Sequence, residues 1–117
     1  MKTPICDYVN QYARSDALRL HMPGHKGVGE IERLDITEIE GADSLYEASG
    51  IIAESEANAS RLFGCPTFYS AEGSSQCIRA MLYLACQAAR ARRKRPCIAA
   101  GRNAHKTFLT AAAMLDF

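Results

Sequence analysis

The chain has 117 residues, with 14 Lys and Arg against 13 Asp and Glu, 48% hydrophobic and 8% aromatic residues, and a formal net charge of +1. That balance supplies no global field to draw nucleic acid or an acidic membrane, and no run approaches the roughly 18 apolar residues of a membrane span. The length suits about one small domain with its own core.

The opening MKTPICDYVNQYARSD lacks the continuous apolar core of a secretion signal, so a cytoplasmic protein is expected. Cys6, Cys65, Cys77, Cys86 and Cys97 are odd in number and lack CxxC spacing, which suits reduced, mostly buried thiols. His21, His25 and His105 do not supply finger-like spacing, and no metal site is expected.

In chain order, Thr3 and Pro4 read as a cap and first helical residue. Ile5, Tyr8, Val9, Tyr12 and Ala13 follow helical spacing, predicting a helix over 4–15. RLHMPGHKGVGE then reads as an ordered Gly/Pro-rich arm. SLYE at 44–47 suggests a capping box for a helix ending near Phe63, with Gly64 as its stop. TFYS at 67–70 favours a strand, and Ile78, Met81, Leu82, Ala85 and Ala89 predict a helix from Ser74 to about Ala91. CIAA at 97–100 suggests a second buried strand, and Asn103 a cap for a helix over 104–115 bearing Phe108, Leu109, Ala112 and Leu115 along one side. Strand, helix, strand, helix is the alternation of an α/β layered fold with a parallel sheet. Two strands make a poor sheet, so the chain reads as the front of a larger domain. The expected division is 1–42, helix and arm, and 43–117, the first part of the large domain.

Two stretches carry candidate chemistry. In TFYSAEGSSQCIRAM a strand would run into Gly73, two hydroxyls and a helix. Gly73 allows close backbone approach, helix N-terminal N–H groups favour an anion, and Ser74 and Ser75 add donors. A phosphate monoester suits such a cradle; a plain helix cap by Ser74 suits the same residues. AGRNAHKTF would bring His105 to the same crevice, where an imidazole can stack on a ring or move a proton, or simply bond a neighbouring carbonyl. His21, His25, Lys26 and Gly27 could reach a ligand from the arm. Asp35, Glu38 and Glu40 could serve acid/base work or lie on an exposed face. Arg90, Arg92, Arg93, Lys94 and Arg95 end a helix, where cations suit the dipole. Without interleaved aromatics they do not predict nucleic-acid binding.

Taken together, LRLHMPGHKG, DITEIEGADSLYEASGIIAESEANASRLFG, TFYSAEGSSQCIRAML and AGRNAHKTF resemble, in this order, the major domain of the Orn/Lys/Arg decarboxylases. The similarity runs from about Arg19 to Leu115. It implies an aspartate-aminotransferase-like (fold type I) domain, helices packed on a few parallel strands, here incomplete. It also implies pyridoxal 5'-phosphate as cofactor and a basic amino acid (arginine, lysine or ornithine) as substrate, in a homodimer or higher homo-oligomer. Gly73, Ser74 and Ser75 would hold the phosphate, and His105 would stack on the pyridine ring as the catalytic-site residue of this segment. The family's Schiff-base lysine belongs to a later Ser-x-His-Lys motif that these residues do not contain. Lys106 is thus expected to be a bystander, and the 117-residue chain alone inactive. Glu72 stands where family members carry an Asn. The rival expectation is a non-catalytic chain acting as a subunit-interaction module.

Overall fold

The computed structural model describes residues 2–22, 26 and 28–117, divided into two compact units that meet in sequence between Tyr69 and Ser70. The first unit holds helix α1 (Pro4–Ala13), a 3-10 turn (Glu32–Leu34) and helix α2 (Ile51–Phe63). The second holds helices α3 (Ser74–Ala91) and α4 (Lys106–Leu115).

In the first unit α1 packs on α2 and on the 3-10 turn. Pro4 at the head of α1 costs nothing there, since its missing N–H would have no intrahelical partner. Thr3 precedes it without capping: its hydroxyl donates to Asp7 Oδ1 at 2.9 Å and its N–H to Asp7 Oδ2 at 3.2 Å. Ile5, Tyr8, Val9, Tyr12 and Ala13 are all half-buried, one stripe at helical spacing. An apolar cleft of about 500 Å³ is lined by Ile5, Val9, Ser55, Ala59, Leu62 and Tyr69.

Helix α2 begins at Ile51, later than a box on Ser44 implies, because Asp43 caps it from a distance. Its carboxylate accepts the N–H groups of Ser44 at 2.9 Å, Ser49 at 3.0 Å, Gly50 at 2.7 Å and Ile52 at 3.0 Å. Those bonds, led by the one from Ser49, hold the Asp43 carboxyl far below the usual carboxylate range against the opposing effect of partial burial. At the other end Gly64 closes the helix in the left-handed region (φ 69°), where lack of a Cβ removes the steric penalty.

In the second unit α3 and α4 pack together. Leu82, Cys86 and Ala111 form its apolar centre, each no more than 3% exposed. On α3 the buried stripe passes through Leu82 and Cys86 with Ile78 and Ala89 half-buried beside it, whereas Met81 and Ala85 face solvent. On α4 it passes through Thr107 and Ala111, leaving Leu109 exposed.

The α/β expectation is overturned: the chain is all-helical, with no strand or sheet among the described residues. A strand exists only through a ladder with a partner, and α2 takes the donors that such a ladder would use. The N–H of Thr67 donates to Ser60 Oγ at 2.9 Å and that of Tyr69 to Glu56 Oε1 at 2.7 Å. At 97–100 the chain is extended without pairing, and Cys97, Ala99 and Ala100 are exposed rather than buried. Helices packed on parallel strands are therefore not the architecture of this chain.

Candidate functional site

The second unit brings two helix heads to one corner. At the head of α3, Gly73 has φ 65° and ψ −155°, a region open in practice only to glycine. No side chain caps this helix, and its first turn carries no acidic residue. Nothing lies within 4 Å of the place a Cβ on Gly73 would occupy. Gly73 and Ser74 are exposed and Ser75 is half-buried. The turn before them is held from inside: the Ser70 hydroxyl lies 2.7 Å from both the Gly73 carbonyl oxygen and Gln76 Oε1, and the Glu72 N–H donates to the same Gln76 oxygen at 3.2 Å. Arg79 pairs with Glu72.

The head of α4 is formed by His105, not by Asn103 as the sequence suggests. His105 Nδ1 accepts the Thr107 N–H at 3.3 Å, the bond that caps the helix. The ring is exposed, and again no acidic residue occupies the first turn. Thr107, only 5% exposed, joins the two heads. Its hydroxyl lies 2.9 Å from His105 Nδ1 and donates to Ser75 Oγ at 3.2 Å.

Of the residues singled out in the sequence, Ser75 and His105 are thus linked through one side chain, with Gly73 and Ser74 on the adjoining turn. They meet because α3 packs against α4, not because two strands end at a common sheet edge. Lys106 opens α4 as an exposed residue, and Arg102 and Asn103 before it are exposed too. Two helix heads, uncapped or imidazole-capped, with no acidic residue in the first turn and with the adjacent Glu72 paired to Arg79, favour an anion. A flat, exposed imidazole beside them can lie against a planar ring.

His21 and Lys26 belong to the first unit, where Lys26 Nζ donates to the His21 carbonyl at 3.2 Å; His25 and Gly27 lie outside the described residues. Glu38 accepts the Ser44 hydroxyl at 2.6 Å and the Glu40 carbonyl accepts the Tyr8 hydroxyl at 2.7 Å. Neither bond makes a carboxylate pair. Arg92, Arg93, Lys94 and Arg95 are exposed, and Arg90 donates to the Leu115 carbonyl at 2.5 Å. Among the described residues no group of three His, Cys, Asp or Glu side chains could hold a metal ion, and no helix is long and apolar enough to cross a membrane.

Sequence reasoning missed Thr107, Ser70 and Gln76. The signal for Thr107 was its position two residues after a histidine at a helix start, where its N–H is one of the unpaired donors of the first turn.

The chain is 30% identical to an arginine decarboxylase of Bacillus subtilis, over 94% of this chain and 24% of that protein. It is 31% identical to an arginine decarboxylase of Halalkalibacterium halodurans, over 69% of this chain and 19% of the relative. It is also 30% identical to the uncharacterized protein YaaO of Bacillus subtilis, over 74% and 21% respectively. The chain spans about a fifth to a quarter of the length of these curated relatives. No family model matches the sequence, and no solved structure matches it. The chain is therefore distantly related to arginine decarboxylases.

Proposed function

We propose that this chain carries the phosphate-gripping and ring-stacking part of a pyridoxal 5'-phosphate-dependent decarboxylase acting on a basic amino acid: arginine, lysine or ornithine. The carrying observation is the Thr107 bridge, which ties Ser75 to His105 at adjoining helix heads. The similarity to arginine decarboxylases supports the same reading.

The residues present fit the cofactor. Open space around Gly73 admits a phosphate to the uncapped head of α3, where backbone N–H groups and the hydroxyls of Ser74 and Ser75 would donate to its oxygens. The exposed ring of His105 would lie against the pyridine face and set its plane. Bound there, the cofactor supplies an electron sink for loss of the substrate carboxylate. Lys106 is assigned no covalent role. In this reading Met81, Leu84, Leu109 and Met114, each more than 60% exposed, give apolar surface for a homodimer or higher homo-oligomer.

Pyridoxal 5'-phosphate titrated into the 117-residue chain tests this. Binding should shift the backbone amide resonances of Gly73, Ser74 and Ser75, compete with inorganic phosphate, and weaken about tenfold or more in Ser75→Ala. Borohydride should leave no cofactor attached to Lys106. Amide shifts confined to other parts of the chain would remove the assignment.

A further inference from the structure

Four cations meet in one cleft of the first unit. The cleft, about 890 Å³, is lined by Arg14, Arg19, Lys26 and Arg33 together with Leu18 and Leu20, and among the described residues Asp16 is the one carboxylate on its wall. The whole chain carries a net charge of +1, so four cations against one carboxylate is a local concentration of charge. Glu32, beside Arg33 in sequence, places its carboxylate against Gly29 and is not on the wall. The four come from separate pieces of chain. Arg14 follows the end of α1, Arg19 lies on the irregular stretch after it, Lys26 in the arm and Arg33 in the 3-10 turn.

Each keeps donors to spare. The Arg19 guanidinium lies over the Tyr12 ring, with Cζ 4.6 Å from the centroid, and its buried Nη1 has no acceptor. Arg33 Nε donates to the Gly29 carbonyl at 3.2 Å and Lys26 Nζ to the His21 carbonyl at 3.2 Å. Among the described residues the Arg14 head group has no acceptor, and none of the four pairs with a carboxylate. Like charges gathered in one cleft repel and focus a positive field into it, and a buried donor without an acceptor is costly. An anion in the cleft relieves both. The Tyr12 face also sets the plane of the Arg19 fork before a ligand arrives.

We propose that this cleft binds a chain of phosphates, free or carried on an organic body. Guanidinium forks and an ammonium match phosphate oxygens. One phosphate ester carries about −1.5 to −2, which leaves the excess of cations over Asp16 unbalanced, so a second phosphate is needed. Leu18 and Leu20, 81% and 75% exposed, give an apolar wall on which an organic body would lie. The site needs nothing from the phosphate grip at α3, whose residues all belong to the second unit.

Inorganic tripolyphosphate titrated into the 117-residue chain tests this, at about 0.15 M salt, where exposed charges are screened beyond about 8 Å. The readout is the Nε–H resonances of Arg14, Arg19 and Arg33, so an anion held by Ser74 and Ser75 does not enter it. Tripolyphosphate should bind about tenfold or more tightly than orthophosphate, which reaches fewer of the cations. Citrate, with carboxylates only, should bind more weakly than tripolyphosphate. Adenosine triphosphate binding more tightly than tripolyphosphate supports the site with an esterified ligand; equal affinity supports it with the free chain. Arg19→Gln and Arg33→Gln should each weaken tripolyphosphate about three- to tenfold. Arg19→Lys should weaken it too, because an ammonium has no fork to lay on Tyr12. Arg95→Gln removes the same charge from the exposed basic run of the second unit and should change affinity less than about twofold. Equal losses in Arg95→Gln and Arg19→Gln overturn the site, since affinity would then follow net charge alone. Should Arg19→Gln not fold, the exposed Arg14→Gln decides by the same comparison. Citrate as tight as tripolyphosphate overturns the assignment to phosphates, and unmoved resonances at all three arginines overturn the proposal outright.

Discussion

The carboxylate of Asp43 accepts the N–H of Gly50 at 2.7 Å, seven residues further along the chain, and so acts as the N-terminal cap of α2 without standing next to it. The left-handed backbone of Asp43 itself (φ 68°) turns the side chain back onto the helix head. A charged acceptor at that place answers both the unpaired N–H groups and the positive end of the dipole.

Acid should therefore act on α2 first. The folded pKa of Asp43 is depressed, so its contribution is present above the unfolded value of about 4 and is lost as pH falls below it. Asp43→Asn should melt lower than wild type at neutral pH and show less acid sensitivity below about pH 4, since the acceptor oxygen remains and the charge does not. Thermal melts followed by helical ellipticity read this. Equal acid sensitivity in wild type and Asp43→Asn would assign the loss to other carboxylates.

Alkali should act on α1. Tyr8 is held above its ordinary pKa, chiefly by burial and secondarily by Tyr12 and Glu40, so stability is present below about pH 10 and lost as pH rises through the raised value. Tyr8→Phe removes the bond to the Glu40 carbonyl while keeping the parallel stack on Tyr12, whose centroid is 6.3 Å away. The expected cost is about 0.5–1.5 kcal/mol at neutral pH, toward the lower end for a solvent-accessible bond, with a shallower alkaline loss. Chemical denaturation at two pH values measures both.

Gly73 and Gly64 should respond differently to the same change. Neither has an atom within 4 Å of an added Cβ, so substitution costs backbone strain alone. Gly73→Ala, at φ 65° and ψ −155°, should cost about 1–3 kcal/mol. Gly64→Ala, in the ordinary left-handed region, should cost about 1–2 kcal/mol, and Gly64→Asn less. Only Gly73→Ala should also weaken pyridoxal 5'-phosphate beyond its effect on folding, as binding measured well below the melting temperature will show.

Leu82 and Met81 are neighbours on α3 with opposite environments, 3% and 61% exposed. Leu82→Ala should cost about 2–5 kcal/mol through transfer and cavity terms, the low end being natural for so small a core. Met81→Ala should stay within about 0.5 kcal/mol. If the two losses were alike, the stripe through Leu82 and Cys86 would not be the packed side of this helix.

The local features of this chain were legible before any coordinates. Pro4 marked the first helix, Gly64 the end of the second, and the apolar spacing after Ser74 the span of the third, because each depends on contacts within about one helical turn. The turn at Gly73 and the imidazole of His105 could be picked out for the same reason: glycine freedom and ring chemistry belong to single residues. What remained hidden were relationships whose two ends lie far apart in sequence. Thr67 and Tyr69 have β-favouring side chains, yet Ser60 and Glu56 of α2 take their N–H groups, and propensity cannot foresee which partner wins. Met81 and Leu82 fit the helical pattern equally well, and only the packing of α4 buries one and exposes the other. Thr107 connects residues 75 and 105, a separation no local pattern encodes. Tertiary packing alone made it the shared partner of both.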